Sequence, residues 1–420
     1  METLHSAVGY FALLGLAWLL GTRRTAIPYR TVLVGTLMQV ILASVLLLTG
    51  LREHVFGLVS ALTDVLQATA LKANESLLFI GMANPKFKQA YGPMLALEIA
   101  AILIFVASLS RILYHYRILP GIISVASRFM QRLMGISGAE SVGVVANVFL
   151  GMTEAPLVIR PFVARMTQSE LFCLMCAGMA TIAGTVMVVY AAMLRAVDPL
   201  IAGHLFTASL ISAPAAIAIA KLMIPETERP LTDGQRIEIA ADDTVNGVDA
   251  AARGATEGIH LFINIVAVLI AFVGLVALAN TVVAWADSLV HSGLTTGWSL
   301  QTGLGHVLRY PVWLMGIPWH ETQTVGKLMG IKTILNEFVA FAELARLMGD
   351  QAQAISHRSF LICTYALCGF ANFGSVAIMI GGIGAIAPDR RGDLARLGLR
   401  SLVAGTLTTM LTGCVIGLFA

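Results

Sequence analysis

Two short stretches of this 420-residue chain gather polar and charged side chains inside segments that are otherwise apolar. Residues 147–156 read NVFLGMTEAP and residues 332–338 read KTILNEF, so each contains an amide, a hydroxyl and a carboxylate. Such groups are unfavourable at membrane depth and normally mark the path of a ligand or an ion. Two similar polar breaks, one in each half, are typical of transporters whose site lies where broken helices meet. Glu154 and Glu337 therefore predict a binding site, and the alternative is that both are interfacial charges.

The composition indicates the class of protein that holds this site. Hydrophobic residues make up 57% of the chain and charged residues 12%, against roughly 25% charged residues in soluble domains. A protein that crosses the membrane several times is therefore predicted. The net charge of +3 gives no indication of a nucleic-acid partner. Because Arg23 and Arg24 follow the first apolar segment, that segment is predicted to stay as an anchor. Cys173 and Cys176 are predicted to be small buried residues.

Apolar segments long enough for about 20 helical residues predict eight transmembrane helices. They cover residues 6–22, 31–50, 93–110, 171–194, 200–220, 261–286, 360–388 and 401–420. Residues 55–71 and 121–135 are amphipathic and predict interfacial helices. The polar segment 225–257 holds eight acidic and three basic residues, so a solvated loop between two halves is predicted.

Residues 140–166 and 314–347 are polar at their centres and apolar on both sides. This pattern predicts re-entrant helical hairpins, whose exposed backbone is tolerated only inside protein or a water-filled cavity. The order hairpin, span, span occurs twice, and the three predicted crossings between the hairpins make the repeat inverted. The predicted fold is an all-α polytopic membrane protein. Since most of the 27 Lys and Arg residues then fall on one side, both termini are predicted to lie outside.

Four motifs carry a resemblance to a known family over nearly the whole chain. They are GMTEAP at 151–156, NEF at 336–338, CGFAN at 368–372 and APDRRGD at 387–393. The chain resembles the bacterial branch of the concentrative nucleoside transporter family. The resemblance implies a homotrimer in a bacterial inner membrane, with periplasmic termini, that imports uridine-like nucleosides with a cation gradient. Each protomer would have a static scaffold and a mobile transport domain that moves like an elevator and contains both hairpins and the broken spans after them.

The domain boundaries implied by this resemblance follow the repeat. Residues 1–118 and 259–310 would form the scaffold, 119–222 and 311–420 the two transport-domain repeats, and 223–258 a cytoplasmic loop.

Carried over residue by residue, the resemblance implies the contacts of a nucleoside. Thr153 and Glu154 would meet the base, Val186 would line its pocket, Phe370 would pack against the ligand, and Glu337, Asn372 and Ser375 would bind the ribose. The chemistry agrees, since a carboxylate can accept two hydrogen bonds from a vicinal diol and an aromatic face suits a planar base. The alternatives are core packing for Phe370 and a helix-to-helix hydrogen bond for Asn372.

The family's sodium site corresponds to the side chains of Asn147 and Thr181 and the backbone carbonyls of Leu150 and Ile182. An unwound hairpin tip exposes carbonyl oxygens that a continuous helix would use itself, so sodium is favoured over protons as the coupling ion. The alternative for Thr181 is a hydrogen bond back to the preceding turn of its helix.

Two residues depart from the family's pattern. Met152, an eighth implied substrate contact at the base end, stands where Gln is usual, which leaves the preference between purine and pyrimidine nucleosides open. Gly374 stands where Ser is usual. Three alternatives remain: proton coupling, transport of another neutral polar solute, and a membrane enzyme that uses Glu154 and Glu337 as acid and base.

Overall fold

The computed structural model describes residues 2–73, 95–239, 243–290, 299–350 and 354–420, and regular secondary structure in these residues is helical. The helices are α1 (Glu2–Leu19), α2 (Tyr29–Leu48), α3 (Leu51–Ala73), α4 (Leu95–His115), α5 (Ile118–Met134), α6 (Gly138–Phe149), α7 (Ala155–Val158), α8 (Arg160–Val163), α9 (Gln168–Ala180), α10 (Gly184–Leu194), α11 (Ile201–Met223), α12 (Gly247–Val290), α13 (Leu300–Leu314), α14 (Thr322–Ile334), α15 (Glu337–Gly349), α16 (His357–Leu367), α17 (Phe373–Ile386) and α18 (Arg391–Phe419). A 3₁₀ turn, Pro388–Arg390, precedes α18.

Seven helical stretches of the described residues are long and apolar enough to cross a membrane. Six coincide with predicted spans: α2, α4, the pair α9–α10, α11, α12 and α18. The predicted spans at α1 and at α16–α17 are apolar too, but they are shorter or interrupted. The seventh stretch is α3, whose length and composition also suit a crossing, so its interfacial placement stays a prediction.

Several predicted boundaries are wrong. The polar loop ends early because α12 begins at Gly247, where Asn246 Oδ1 accepts hydrogen bonds from the first turn. The loop is also partly packed, since the backbone carbonyl and the hydroxyl of Thr232 accept hydrogen bonds from the first turn of α6. The final helix begins at Arg391, ten residues before its predicted start. Residues 93–94, the predicted start of the third span, lie outside the described residues.

The second hairpin begins later than predicted. Leu314 ends the separate helix α13, which the sequence did not predict, and the hairpin arms are α14 and α15. Gly316, with φ of 94°, and Pro318 separate α13 from α14 because neither suits a helix interior at this point.

The first hairpin reverses at a tip that requires glycine. Gly151 has φ of 102°, a conformation that strains residues with a side chain. After the tip, α7 and α8 return along α6, so that a Cβ at Gly143 would lie 3.0 Å from Ile159 Cδ1. The two arms are therefore in direct contact.

The spans that follow the hairpins are both broken, and the breaks meet. The first break separates α9 from α10 and the second separates α16 from α17. In the second break, a Cβ at Gly369 would lie 3.0 Å from the carbonyl oxygens of Met179 and Ala180. Glycine is thus needed for the close approach of the two helix ends.

Candidate functional site

One cavity lies between the two hairpin tips and the two breaks. Its empty volume, which includes the solvent at its open mouth, is ≈ 980 Å³. All eight residues predicted to contact a nucleoside line it: Met152, Thr153, Glu154, Val186, Glu337, Phe370, Asn372 and Ser375. Side chains from both repeats thus converge on one space.

Glu337 is the buried carboxylate of this cavity. It is the first residue of α15 and only 5% exposed. Tyr190 donates its hydroxyl to Glu337 Oε1 at 2.6 Å, and Asn372 Nδ2 donates to Glu337 Oε2 at 2.9 Å. Each carboxylate oxygen therefore has one fixed donor and can accept a further hydrogen bond.

The helix starts at the second hairpin tip and at the second break position these groups. Asn336 caps α15, its side chain accepting from the backbone N–H of Val339 at 3.0 Å. Asn372 caps α17 in the same way, its Oδ1 accepting from the N–H of Ser375 at 2.7 Å. The helix-to-helix hydrogen bond considered for Asn372 is therefore present, as its bond to Glu337. Capping and carboxylate binding together fix the amide.

The tip of the first hairpin forms the other end of the cavity. Thr153 packs on α17, since its Cγ2 would lie 3.0 Å from a Cβ at Gly382. Met152 packs on α9, with its Cβ 2.9 Å from the position of a Cβ at Gly178. Glu154 follows and lies at the opening toward a second cavity.

This second cavity continues the first. Both are lined by Leu150, Glu154, Thr185 and Leu261, and the second reaches charged residues in the last turns of α4, in the segment before α12 and in the first turns of α12. These are Arg111, Asp243 and Glu257. The hydrogen-bonded ion pair with Arg253, at 2.8 Å, lowers the pKa of the Asp243 carboxyl below its usual range. A polar route therefore leads from Glu154 toward the segment that joins the two halves.

The residues predicted to bind sodium meet at the first break. Asn147 Oδ1 is buried and accepts no hydrogen bond from any residue that the structure describes, while Nδ2 donates to the carbonyl of Gly143 at 3.0 Å. Thr181 Oγ1 lies 3.5 Å from the backbone carbonyl of Asn147. Thr181 Oγ1 also donates to the carbonyl of Ala177 at 2.9 Å, so the hydrogen bond to the preceding turn that was considered as the alternative is present. Because the hydroxyl is the donor in this bond, its oxygen lone pairs stay available for a cation. A buried amide oxygen without a donor fits a cation ligand.

The backbone carbonyls of the predicted sodium site differ in their present contacts. The Ile182 carbonyl lies in the break and accepts a hydrogen bond from Ser209 of α11 at 3.2 Å. Leu150, at the end of α6, lines the cavity.

Tyr190 and Asn264 are two polar cavity residues that the sequence reasoning missed. Tyr190 lies one helical turn after Val186 on α10, so the predicted facing of Val186 could have indicated it. The signal for Asn264 was an amide inside the apolar run of α12.

Three family descriptions match consecutive parts of the chain. Residues 8–74 match "Na+ dependent nucleoside transporter N-terminus", 96–197 match "Nucleoside recognition", and 204–417 match "Na+ dependent nucleoside transporter C-terminus".

Similar chains occur in bacteria and mammals. The nucleoside permease NupC of Helicobacter pylori is 37% identical over 422 residues, which is 100% of this chain and 98% of the relative. The uncharacterized transporter YutK of Bacillus subtilis is 37% identical over 420 residues, with 100% of both chains covered. Rat sodium/nucleoside cotransporter 1 is 37% identical over 335 residues, 77% of this chain and 50% of the relative.

Solved structures of CNTnw share the fold. The inward-facing, substrate-bound state gives a TM-score of 0.90 at 37% identity, over 100% of this chain and 99% of the other. An outward-facing state of a doubly substituted CNTnw gives 0.91 at 36% identity, over 100% and 99%. The predicted all-α membrane fold is confirmed, and the relatives are transporters and permeases, not enzymes. With the resemblance noted in the sequence confirmed, the chain belongs to the sodium-dependent nucleoside transporter family.

Proposed function

We propose that this protein is a sodium-coupled importer of uridine-like nucleosides in a bacterial inner membrane, with both termini periplasmic. One observation carries the proposal: residues from both hairpins and both broken spans line a single cavity around the buried carboxylate of Glu337. A neutral polar solute needs such fixed partners in an otherwise apolar pocket.

The cavity has one end suited to a sugar and one suited to a base. Glu337, held by two donors, accepts hydrogen bonds from ribose hydroxyls, and Asn372 and Ser375 flank it. At the other end, Thr153 and Glu154 meet the base edge while Val186 and Phe370 contact its faces. Because Met152 offers no amide, fewer polar groups distinguish one base from another.

Sodium is the proposed coupling ion. Asn147 and Thr181 offer neutral oxygen atoms that do not take up protons at physiological pH, and the carbonyls of Leu150 and Ile182 complete the oxygen set. Since no residue that the structure describes donates to the buried amide oxygen of Asn147, this oxygen supports a cation at this position over a proton carrier.

We propose a homotrimer in which residues 119–222 and 311–420 move as the transport domain against a scaffold formed by 1–118 and 259–310. The inward-facing and outward-facing states recorded for CNTnw support alternating access in an elevator manner. The second cavity leads from Glu154 toward residues 223–246, the polar segment before α12, which the proposed orientation places in the cytoplasm. In this orientation, the second cavity is the path by which the nucleoside is released into the cytoplasm.

Uptake by proteoliposomes tests the function. Radiolabelled uridine should accumulate under an inward sodium gradient and be recovered chemically unchanged. Equal uptake with sodium replaced by choline at constant pH would favour proton coupling. Competition by unlabelled purine and pyrimidine nucleosides ranks the bases, and failure of every nucleoside to compete would indicate another polar solute.

The sugar assignment is tested by Glu337→Gln. Removal of the charge should weaken uridine binding by about 1.5–3 kcal/mol, roughly ten- to hundredfold, because charge-assisted hydrogen bonds are lost. Discrimination between uridine and its deoxy analogues should narrow as well. Glu343→Gln, on the outer part of the same helix and paired with Arg346, is the matched control and should change neither quantity. Unchanged binding in Glu337→Gln would remove Glu337 from the site.

A further inference from the structure

Lys332 occupies in the second hairpin the position that Asn147 occupies in the first. Asn147 lies three residues before Leu150, the C-cap of α6, and Lys332 lies three residues before Leu335, the C-cap of α14. Each of these arms belongs to a repeat whose next span is broken. The repeat therefore makes the two side chains structural counterparts.

The Lys332 side chain is fully buried, and its amino group contacts neutral oxygen atoms. Nζ donates to the backbone carbonyl of Ala366 at 2.8 Å and to the hydroxyl of Thr409 at 3.1 Å. Ala366 lies in the last turn of α16, just before the second break, where carbonyl groups carry a partial negative charge. These are a backbone carbonyl and a hydroxyl at a helix end, the same kinds of ligand as in the proposed sodium site.

In both repeats, a polar side chain of the hairpin lies at the helix end where the following span breaks. In the first repeat, Asn147 leaves a buried oxygen atom free beside the end of α9. In the second, the longer Lys332 side chain reaches the end of α16 with its own positive charge. The amide recruits a cation, whereas the lysine supplies one.

We propose that Lys332 is a covalently attached cation that fills the second repeat's counterpart of the sodium site, so that transport uses one sodium ion per nucleoside. The inference rests on the sodium site proposed above for the first repeat. Because Lys332 travels with its hairpin, it stabilises the second break without drawing on the sodium gradient.

The test is Lys332→Asn, which gives the second repeat the residue of the first. Proteoliposomes are clamped at zero membrane potential with a tenfold inward sodium gradient. One coupled ion then limits radiolabelled uridine accumulation to about tenfold, and two ions to about a hundredfold. We expect about tenfold for the parent, and for the variant a sigmoidal sodium dependence with a limit near a hundredfold. Lys327→Asn, the same change at an exposed position of α14, should behave like the parent.

Three results separate this inference from the proposed function. Accumulation near a hundredfold by the parent means two coupled ions, which overturns the role of Lys332 and leaves the function intact. A Lys332→Asn variant that binds uridine and keeps a limit of about tenfold overturns it as well. Lys332→Gln, which has a longer amide side chain, is measured in parallel in case Lys332→Asn does not fold. The accumulation limit of the parent protein tests the inference without any variant. Uptake that ignores sodium contradicts the proposed function itself.

Discussion

At the scale of single residues, Tyr190 is a positioning residue for the sugar end of the cavity. Its hydroxyl lies 2.6 Å from Glu337 Oε1, and its ring packs on Phe341 with centroids 4.8 Å apart. Tyr190→Phe keeps this ring and removes one donor from a buried carboxylate. We expect uridine binding to weaken by about 1.5–3 kcal/mol, measured by calorimetry, because hydrogen bonds to charged groups contribute about that much.

The preference for sugar hydroxyls shows whether Tyr190→Phe acts by misplacing Glu337 or only by destabilising the protein. If Tyr190 orients Glu337, then Tyr190→Phe also narrows the difference in affinity between uridine and its deoxy analogues. Tyr29→Phe, at an exposed position of α2, is the control and should leave affinity and ranking unchanged. A Tyr190→Phe variant with a lower melting temperature and the parent's ranking would contradict the positioning role.

Asn147 allows sodium binding and nucleoside binding to be separated. Asn147→Ala removes the oxygen atom that has no donor among the described residues and leaves the sugar end untouched. The apparent sodium affinity should fall at least about tenfold, which corresponds to about 1.4 kcal/mol of binding free energy. The uridine affinity at saturating sodium should change less. Sodium titrations of uridine binding give both values.

Thr181→Ala and Thr406→Ala form a matched pair for the same question. Both hydroxyls donate back to the preceding turn of their helix, but only Thr181 lies beside the carbonyl of Asn147. Thr181→Ala should therefore weaken sodium binding, and Thr406→Ala should not. Equal sodium affinities in the two variants would count against Thr181 as a ligand.

At the scale of elements, the hairpins were predicted because polar residues interrupt apolar runs at few places, whereas the breaks in the following spans were implied by the family resemblance alone. The boundaries of the helices were less predictable. The apolar residues 312–317 run past Leu314, the last residue of α13, so the end of this helix was not distinguished from the start of the second hairpin. The charged start of α12 resembles a solvated loop, although an Asn cap and the Arg253–Asp249 pair support a helix there.

The predicted site residues came from motifs, whereas their partners required the fold. Tyr190 and Glu337 are 147 residues apart in the chain and meet through the packing of α10 on the second hairpin. A Tyr in an apolar helix is ordinarily a core residue, so no sequence pattern pairs its hydroxyl with a carboxylate. Lys332 was visible in the second polar stretch, but its oxygen partners on α16 and α18 were not.

The crossing of the two breaks can be tested with one methyl group. Gly369→Ala would place a Cβ 2.7 Å from Thr409 Cγ2 and 3.0 Å from two backbone carbonyls of α9. Such overpacking is typically destabilising by about 1–3 kcal/mol, so a lower melting temperature and reduced uptake are expected. Gly381→Ala on α17, where a Cβ meets nothing within 4 Å, is the control. If both variants had the uptake and melting temperature of the parent, the close contact between the two breaks would not be required for folding or transport.

At the scale of the whole molecule, the described contacts suggest which parts move together. Gly254 and Gly258 of α12 lie against α4, where a Cβ would come within 2.6 Å of Ser108 Cα and 2.7 Å of Ile104 Cα. Small residues four apart allow this close helix contact, and it joins α4 of the first scaffold section to the start of α12, which continues into the second section. The helix α3 also contacts the first transport-domain repeat, where the ring of Phe56 packs on His204 with centroids 4.9 Å apart. Two polar contacts accompany this packing: Arg195 Nη2 donates to Asp64 Oδ2 at 2.7 Å, and Gln67 Nε2 donates to the carbonyl of Val188 at 2.9 Å.

An elevator movement requires the contact between Asp64 and Arg195 to break during each cycle. In Asp64→Cys/Arg195→Cys, a short bifunctional maleimide should therefore abolish uridine uptake while uridine binding remains, because the transport domain is fixed to the scaffold. The five native cysteines are buried, which limits background reaction. Glu343→Cys/Arg346→Cys replaces an ion pair within α15 and should tolerate the same reagent. Full uptake by the cross-linked Asp64→Cys/Arg195→Cys protein would mean that α3 and the first repeat travel together, and the proposed boundary at residue 118 would then be wrong.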